Sequence, residues 1–182
     1  MKRGLVLSLA LSVTGALFVS GHAHAFEREW HTGGGIGLTA YPHYYSVGPA
    51  FGLNAGYGIS DVFDLKLEVL GSYHAYSAAP PSQRPWAAPF SAAAGLSYKL
   101  DVLQWIPYAA LLVGFQNVSG TLPRGASFHR DDALAALVLG LDYAMTRNFG
   151  LGASIRTDML LSSPTDGEAV TTMLRAEYHW GF

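Results

Sequence analysis

Charged side chains recur two residues apart along several stretches of this sequence, with apolar residues between them. Residues two apart in an extended chain lie on the same face, so each stretch places its charges together. Acids and bases alternate within these sets, which favours ion pairing, because charges enclosed by a fold must be paired. The set is Asp64, Lys66, Glu68, Asp142, Arg156, Asp158, Arg175 and Glu177. Glu29 and Lys99 are two further candidates, and His31, His74 and His179 share the same faces as satisfied structural histidines.

Eight strand-like segments carry these residues, and they are connected by short and long links in turn. Short links lie at 60–61, 101–104 and 145–148, and longer ones at 75–88, 119–131 and 162–169. Pro, Gly, Ser and charge mark the longer links as loops. Pro49 and Pro107 cannot donate in a ladder, which predicts strand ends or bulges there. The predicted strands are 28–40, 47–59, 62–74, 89–100, 105–118, 132–144, 149–161 and 170–182.

The opposite face of these strands is apolar, and composition indicates what it meets. Charged residues form 13% of the chain, against roughly 25% in average soluble domains. Apart from the N-terminus, the longest apolar run is ALAALVLGL at 133–141, much shorter than the roughly 18 residues of a membrane helix. The sequence therefore argues against a helical membrane protein and favours strands with a lipid-facing side.

Aromatic residues flank almost every short link. A ring of them at one level is typical of a membrane–water interface, where amphipathic rings are stable. This predicted girdle comprises Trp30, Tyr57, Phe63, Tyr98, Trp105, Tyr143 and Phe149. A second group lies one strand length away, toward the long loops, and comprises Tyr41, Phe51, Tyr73, Phe90 and Phe115. Two such levels predict a sheet that crosses a bilayer.

The N-terminus predicts export. Lys2 and Arg3 precede an apolar stretch that ends near an Ala-His-Ala pattern at 23–25, so residues 1–25 are predicted to be a cleaved signal peptide and 26–182 the mature domain. The chain contains no cysteine, which excludes disulfides, thiolate metal sites and a lipid-attachment cysteine. The net charge of −2 gives no basic excess, so we expect no nucleic-acid partner.

The export signal, the eight alternating strands and a last strand with Tyr178, Trp180 and Phe182 together resemble the small outer-membrane β-barrels of Gram-negative bacteria, the OmpA- and OmpX-like group. The resemblance implies an all-β fold, an eight-stranded antiparallel up-and-down transmembrane β-barrel located in the cell outer membrane. It also implies a monomer in contact with outer-membrane lipids and lipopolysaccharide. Tyr178, Trp180 and Phe182 would then be the assembly signal that the barrel assembly machinery recognises.

An eight-stranded barrel has room inside for little more than its own side chains. The function we expect is therefore structural or one of surface interaction, with the charged set as a lumen network and the loops exposed to an unidentified extracellular ligand. A narrow, OmpW-like channel for small or apolar solutes is the alternative, since Ile106, Leu112, Leu134 and Val138 also point inward. A soluble lipocalin-like ligand binder is a third possibility.

No catalytic, cofactor or metal site is expected. The order His-x-Ser on one strand face, which would let the imidazole activate the hydroxyl, does not occur in the sequence. Zinc spacings and phosphate loops are absent as well. We therefore predict that the protein is not an enzyme.

Overall fold

The computed structural model describes residues 28–42, 46–75, 85–100, 104–122, 125–162 and 168–181. The predicted signal peptide at 1–25 and Phe182 lie outside these residues, so the division at residue 26 remains a prediction. Within the described residues, no helix has the length and apolar character needed to cross a membrane.

Nine β-strands account for nearly all of the described chain. Eight of them alternate apolar and polar or small residues, which is the pattern of a sheet with two different faces. The strands are β1 Trp30–Tyr41, β2 Ser46–Gly58, β3 Phe63–Ser72, β4 His74–Ala75, β5 Trp86–Lys99, β6 Trp105–Thr121, β7 Ser127–Ala144, β8 Phe149–Leu160 and β9 Ala169–Trp180. The two-residue β4 continues the line of β3, so the nine segments form the eight strands of the barrel wall.

The break between β3 and β4 falls at Tyr73. Its N–H donates to the carbonyl of Pro49, 3.1 Å away. Pro49 has no N–H to return, so the ladder is incomplete at this point. Pro49 therefore lies inside β2, close to one end, and interrupts the neighbouring strand. Pro107 lies close to the start of β6, so the predicted positions near strand ends agree with the structure.

All neighbouring strands are antiparallel, and β1 pairs with β9 to close the sheet into a barrel. Following paired residues once around from Trp30 returns to β1 at Ala40, ten residues farther along; the path is Trp30, Tyr57, Leu65, Leu96, Leu111, Leu137, Thr157, Val170, Ala40. This stagger tilts the strands. Closure pairs the sheet edges, which lipid requires. The predicted fold class is confirmed.

Large apolar side chains cover the outside of the barrel. Ile36, Leu111 and Leu174 are each about 70% exposed, at 72%, 70% and 69%. Contiguous apolar surface of this extent on a protein marks contact with a partner or a membrane. Because this surface runs around the whole cylinder, the apolar face is the lipid-facing one, and the charged face is interior. A soluble lipocalin-like barrel would have the reverse arrangement.

The predicted girdle residues lie at the end of the barrel with the short links. Three pairs meet across strands, with ring centroids 4.8 Å apart for Trp30 and Tyr57, 5.2 Å for Phe63 and Tyr98, and 4.9 Å for Trp105 and Tyr143. Phe149 lies opposite Tyr178, and Trp30 opposite Trp180. The outward aromatic rings therefore lie side by side around much of the short-link end of the barrel.

One residue of the second aromatic group was predicted on the wrong face. Tyr41 points into the barrel, where its hydroxyl accepts a hydrogen bond from Gln116 Nε2 at 2.9 Å and its ring meets His74 edge-on. The other four, Phe51, Tyr73, Phe90 and Phe115, are outward and exposed. A tyrosine at a strand end can satisfy its hydroxyl on either face of the sheet. Here the hydrogen bond from Gln116 holds the Tyr41 side chain on the inner face.

The predicted ends of the strands beside the longer loops were wrong. Most of the predicted loop 119–131 belongs to β6 and β7, which pair from Trp105–Tyr143 as far as Thr121–Ser127. Likewise, β5 begins at Trp86 rather than Pro89. The added outward residues of β6 and β7 are polar, among them Asn117, Ser119 and His129, so the apolar alternation that predicts a lipid-facing strand stops before these strands do. We call residues 117–121 of β6 and 127–131 of β7 the hairpin extension.

Candidate functional site

All eight residues of the predicted charged set lie inside the barrel. Their exposed fractions are 8% or less: Asp64 1%, Lys66 3%, Glu68 8%, Asp142 7%, Arg156 1%, Asp158 2%, Arg175 8% and Glu177 3%. Glu29, His31 and Lys99 are buried beside them. Burial of this many charges is tolerable only if each is paired, because an isolated charge in such a setting is very costly.

Arg156 connects opposite walls of the barrel. From β8 its Nη1 donates to Glu68 Oε1 on β3 at 2.7 Å, and its Nε donates to Asp158 Oδ1 at 2.7 Å. Nη2 reaches Ser91 Oγ on β5 at 3.2 Å. With β3 and β4 counted as one strand, β8 is the fourth strand from β3 in either direction around the barrel. The Arg156–Glu68 pair is therefore a bridge across the lumen.

A second group surrounds the ring of Tyr108. Lys66 Nζ and Arg175 Cζ each lie 4.8 Å from its centroid, within the range of a cation–π contact. Lys66 also pairs with Glu68 at 3.2 Å, and Arg175 contacts Glu177 and the Tyr108 hydroxyl. This group joins the Arg156 bridge through Glu68, so the two form one network.

Gly140 makes room for the Tyr108 ring. A Cβ at this position would clash with the ring carbons and hydroxyl of Tyr108. Gly56 gives space to His31 in the same way. The small residues on the inner faces of β2 and β7 are thus needed because large polar side chains from other strands fill the space above them.

The end with the short links holds a third group. Lys99 Nζ lies 2.6 Å from Asp64 Oδ2, and His31 Nε2 lies 3.2 Å from the same oxygen. His179 Nδ1 lies 2.6 Å from Glu29 Oε1, and the rings of His31 and His179 stack with centroids 5.7 Å apart. Both histidines therefore have carboxylate partners, as expected of structural residues.

The third predicted histidine lies at the loop end among uncharged groups. His74 is 1% exposed and contacts two serine hydroxyls, Ser46 Oγ at 3.1 Å from Nδ1 and Ser72 Oγ at 3.0 Å from Nε2. Nearby, the hydroxyls of Thr39 and Thr171 lie 2.8 Å apart. Both ring nitrogens are occupied by structural partners, so His74 holds the loop end of the lumen together.

The wall formed by β6 and β7 is apolar. Leu112, Leu134 and Val138 are 1%, 0% and 1% exposed, and they pack with Ala110, Ala136 and other buried residues. Ile106 on the same face is partly buried. The predicted inward register of these four residues agrees with the structure. One side of the lumen is therefore filled by hydrocarbon and the other by the charged network.

Sequence reasoning missed Tyr108, which is the centre of the second group. Its position could have been found, since Tyr108 lies two residues from Ile106 and four from Leu112, both of which were placed inward. Of the predicted assembly signal, Tyr178 and Trp180 point outward with 53% and 40% exposure, and Phe182 lies outside the described residues.

The interior side chains can therefore cross-link the wall of the barrel. Within the parts of the chain that the structure describes, no group of three or more His, Asp or Glu side chains could hold a metal ion. A closed, staggered barrel with a lipid-facing exterior, an aromatic girdle and paired interior charges defines the class of small integral outer-membrane β-barrels.

Comparison with known proteins agrees with this class. Residues 9–182 match the model of the outer membrane protein beta-barrel domain family, and the chain belongs to this family. No curated protein matches the sequence significantly.

Three solved structures illustrate the likeness. Ail, the attachment invasion locus protein of Yersinia pestis, is 19% identical with a TM-score of 0.64, covering 85% of this chain and 100% of Ail. OprG of Pseudomonas aeruginosa is 11% identical with a TM-score of 0.61, covering 86% and 98%. The N-terminal barrel domain of Pseudomonas aeruginosa OprF is 17% identical with a TM-score of 0.55, covering 85% and 98%. Identities this low show the shared fold alone.

Proposed function

We propose that the protein is a closed barrel with a structural and surface-interaction role in the cell envelope, not a solute pathway. The observation that carries this proposal is the Arg156–Glu68 bridge. Its two residues lie on opposite sides of the barrel, four strands apart, and Arg156 Nη1 lies 2.7 Å from Glu68 Oε1. A side chain that spans the lumen occupies the path that a solute would take.

Pairing of the interior charges supports the proposal. Glu68 contacts two cations, Arg156 and Lys66, and Arg156 contacts two carboxylates, Glu68 and Asp158. A water-filled cation or anion path would be expected to have charges of one sign free to meet ions. Here Glu68, Arg156, Lys66 and Asp158 pair with one another, so we assign them the role of holding opposite strands in register.

The alternative of a narrow channel for small or apolar solutes would use the apolar wall. Leu112, Leu134 and Val138 are at most 1% exposed, so their surfaces are covered by neighbouring side chains. An apolar path would need these surfaces to be accessible. The packing therefore favours the closed barrel over the OmpW-like channel.

The proposal also covers the membrane partners of the barrel and the route by which it reaches the membrane. We propose outer-membrane lipids and lipopolysaccharide as the partners of the apolar exterior, with the chain acting as a monomer. Export by the segment 1–25 and recognition of Tyr178, Trp180 and Phe182 by the barrel assembly machinery remain part of the same proposal. The outward, exposed positions of Tyr178 and Trp180 support it, because they are accessible while β9 pairs with β1.

The surface-interaction role falls to the hairpin extension. Ail forms a crystalline complex with the heparin analogue sucrose octasulfate, so a sulfated ligand is one candidate here. In the described part of the extension, however, Arg130 is offset by Asp131 and by its own partner Asp132 at 2.9 Å. A polyanion would find no basic excess there, so we favour a polar or amphiphilic contact.

Conductance in planar bilayers tests the closed barrel. Protein whose folding is verified by a heat-dependent shift on a cold detergent gel should give flat current traces across the whole voltage range. Reproducible discrete openings from the same folded preparation would contradict the proposal and support the channel. Protein that remains soluble without detergent would contradict the membrane location itself.

A further inference from the structure

The last strand closes the barrel onto the first through a pair of histidines. We call the ladder between β1 and β9 the seam. His31 of β1 lies directly opposite His179 of β9 in this ladder. Their rings stack on the inner face, with centroids 5.7 Å apart and 25° between the ring planes. The two imidazoles therefore meet across the seam, close to its short-link end at Trp30 and Trp180.

The ring of His179 lies between two buried carboxylates. Its Nδ1 lies 2.6 Å from Glu29 Oε1, and its Nε2 lies 3.7 Å from Glu177 Oε2. The backbone at this position is also fixed, because the carbonyl of Asn148 accepts the His179 N–H at 2.9 Å and Asn148 Nδ2 donates to the His179 carbonyl at 2.8 Å. Negative charge therefore matches a proton held on this side of the pair.

The Nε2 atom of His31 meets two groups with opposite requirements. Asp64 Oδ2 lies 3.2 Å from it and would accept a hydrogen bond from a protonated ring nitrogen. Lys99 Nζ lies 3.3 Å from the same nitrogen and can only donate, so it requires a lone pair there. Lys99 also lies 2.6 Å from Asp64 Oδ2 and already neutralises that carboxylate. A positive charge on His31 would therefore lie beside the positive charge of Lys99.

The other charged groups that face the pair are already engaged. Glu177 Oε1 lies 3.8 Å from His31 Nδ1, but the same oxygen accepts a hydrogen bond from Asn54 Nδ2 at 2.6 Å and contacts Arg175 Nη2. Arg175 Nε in turn lies 3.7 Å from Asp142 Oδ1. Among the residues that the structure describes, both carboxylates that contact the His31 ring thus already contact a cation.

We propose that His31 and His179 form an acid-sensitive latch, which holds the seam closed when the pair carries one proton and loosens it when the pair carries two. One proton faces Glu29, and Lys99 keeps the lone pair of His31 to which it donates. A second proton places a like charge across the seam and beside Lys99. That charge is repelled by both neighbours and is buried away from water, so separation of the strands relieves it.

The latch acts at one end of the seam. The pairing of β1 with β9 runs from Trp30 and Trp180 to Ala40 and Val170, and the histidines are the second pair in it. Near the other end, the uncharged hydroxyls of Thr39 and Thr171 join the same two strands, 2.8 Å apart. Acid therefore frays the short-link end of the seam and leaves the loop end closed.

The size of the effect follows from the second proton, which the closed seam disfavours and the open seam accepts. An imidazole in water takes up its proton with a pKa of about 6.5. Each pH unit below that value therefore favours opening by up to about tenfold, and the stability of the seam is complete only above it. Lowering the pH from about 7.5 to about 5 should weaken closure of the seam by about 30-fold.

Hydrogen exchange of the backbone amides tests the latch. Protein in detergent micelles, shown to be folded by its heat-dependent gel shift, is transferred to D2O at each of the two pH values. Each exchange rate is divided by the rate of an unstructured peptide at the same pH. The amides of the seam near Trp30 and Trp180 report on the latch. The ladder of β6 with β7 near Trp105 and Tyr143 lies at the same end without a histidine and is the internal control.

We expect protection of the seam amides to fall by about 30-fold on acidification in the wild type. The control variant His129→Gln should behave in the same way, since His129 is exposed on the hairpin extension. In His31→Gln the fall should be absent, because glutamine keeps an acceptor for Lys99 and takes up no proton. An undiminished fall in His31→Gln, no fall in the wild type, or an equal fall in the β6–β7 ladder would each overturn the proposal.

Nitrogen NMR of the imidazole rings gives a second measurement on the wild type, which does not depend on the folding of a variant. The spectra report how many protons His31 and His179 carry at each pH. We expect the doubly charged pair to appear together with the loss of protection in the seam amides. A doubly charged pair in a barrel whose seam amides keep their full protection would contradict the latch.

Discussion

Replacing Glu68 by glutamine should destabilise the barrel, because it leaves a buried cation without its carboxylate partner. Glu68 is the carboxylate that faces two buried cations, with Arg156 Nη1 at 2.7 Å and Lys66 Nζ at 3.2 Å. Arg156 would keep Asp158 at 2.7 Å. Lys66, only 3% exposed, would lose its carboxylate partner and keep the Tyr108 ring.

The expected cost follows from the charge left behind. Removing one partner of a buried ion pair costs about 3–5 kcal/mol, because the remaining charge is uncompensated. Glu68→Gln keeps the size and the carbonyl acceptor, so the change measures charge and not a cavity. The double variant Lys66→Gln/Glu68→Gln removes the stranded cation and should recover part of this loss, with a coupling of about 1–3 kcal/mol.

Urea unfolding in lipid vesicles, followed by tryptophan fluorescence and by the heat-dependent gel shift, would measure these differences. Glu168→Gln serves as the control, since Glu168 is exposed beside β9 and its neutralisation should leave the unfolding midpoint unchanged. If Glu68→Gln unfolds at the same urea concentration as the wild type, the network contributes nothing to stability and the reasoning about paired lumen charges is refuted.

Gly140→Ala should cost about 1–3 kcal/mol of unfolding free energy, because the methyl group overlaps the Tyr108 ring. Gly150→Ala should be neutral, since its Cβ would meet one backbone oxygen at 3.4 Å, and equal effects would contradict the packing. Trp105→Leu should cost about 0.5–1.5 kcal/mol in vesicles through loss of its paired ring; an unchanged midpoint would argue against the girdle. Deleting Phe182 should lower the outer-membrane fraction in cells but leave refolding into detergent unchanged, and equal losses in both would indicate a folding role instead of an assembly signal.

The lipid-facing sheet could be predicted from the sequence because its information is local. In β3, Phe63, Leu65 and Leu67 alternate with Asp64 and Lys66, and a period of two fixes which set shares a face. Sparse charge and aromatic rings at the turns then decide that the apolar face meets lipid. The strand count and the inward positions of Leu112 and Leu134 followed from the same reasoning.

Partners across the lumen could not be predicted in this way. Arg156 reaches Glu68, which is 88 residues away in the chain, and which walls meet depends on the stagger of ten residues between Trp30 and Ala40. Alternation within a strand contains no information on that stagger. Tyr41 shows the same limit, since its hydroxyl partner Gln116 comes from a distant strand.

The hairpin extension was missed for a related reason. Its outward residues, among them Asn117 and Ser119, are polar, so apolar alternation ends at Phe115 although the backbone ladder continues. Ser119 and His129 likewise meet only through the pairing of β6 with β7. The register of a hairpin, and not the spacing along one strand, brings these residues together.

Cysteine accessibility along β6 and β7 tests the closed, lipid-facing barrel most directly, since the chain contains no cysteine. Single cysteines at Leu111, Leu112 and Ser127 would face lipid, lumen and solvent respectively. In vesicles, a water-soluble maleimide should modify the cysteine at 127 and neither of the others, and nitroxide lipids should quench a fluorophore at 111 alone. Modification at 112 as fast as at 127 would show an open, water-filled lumen and contradict the account.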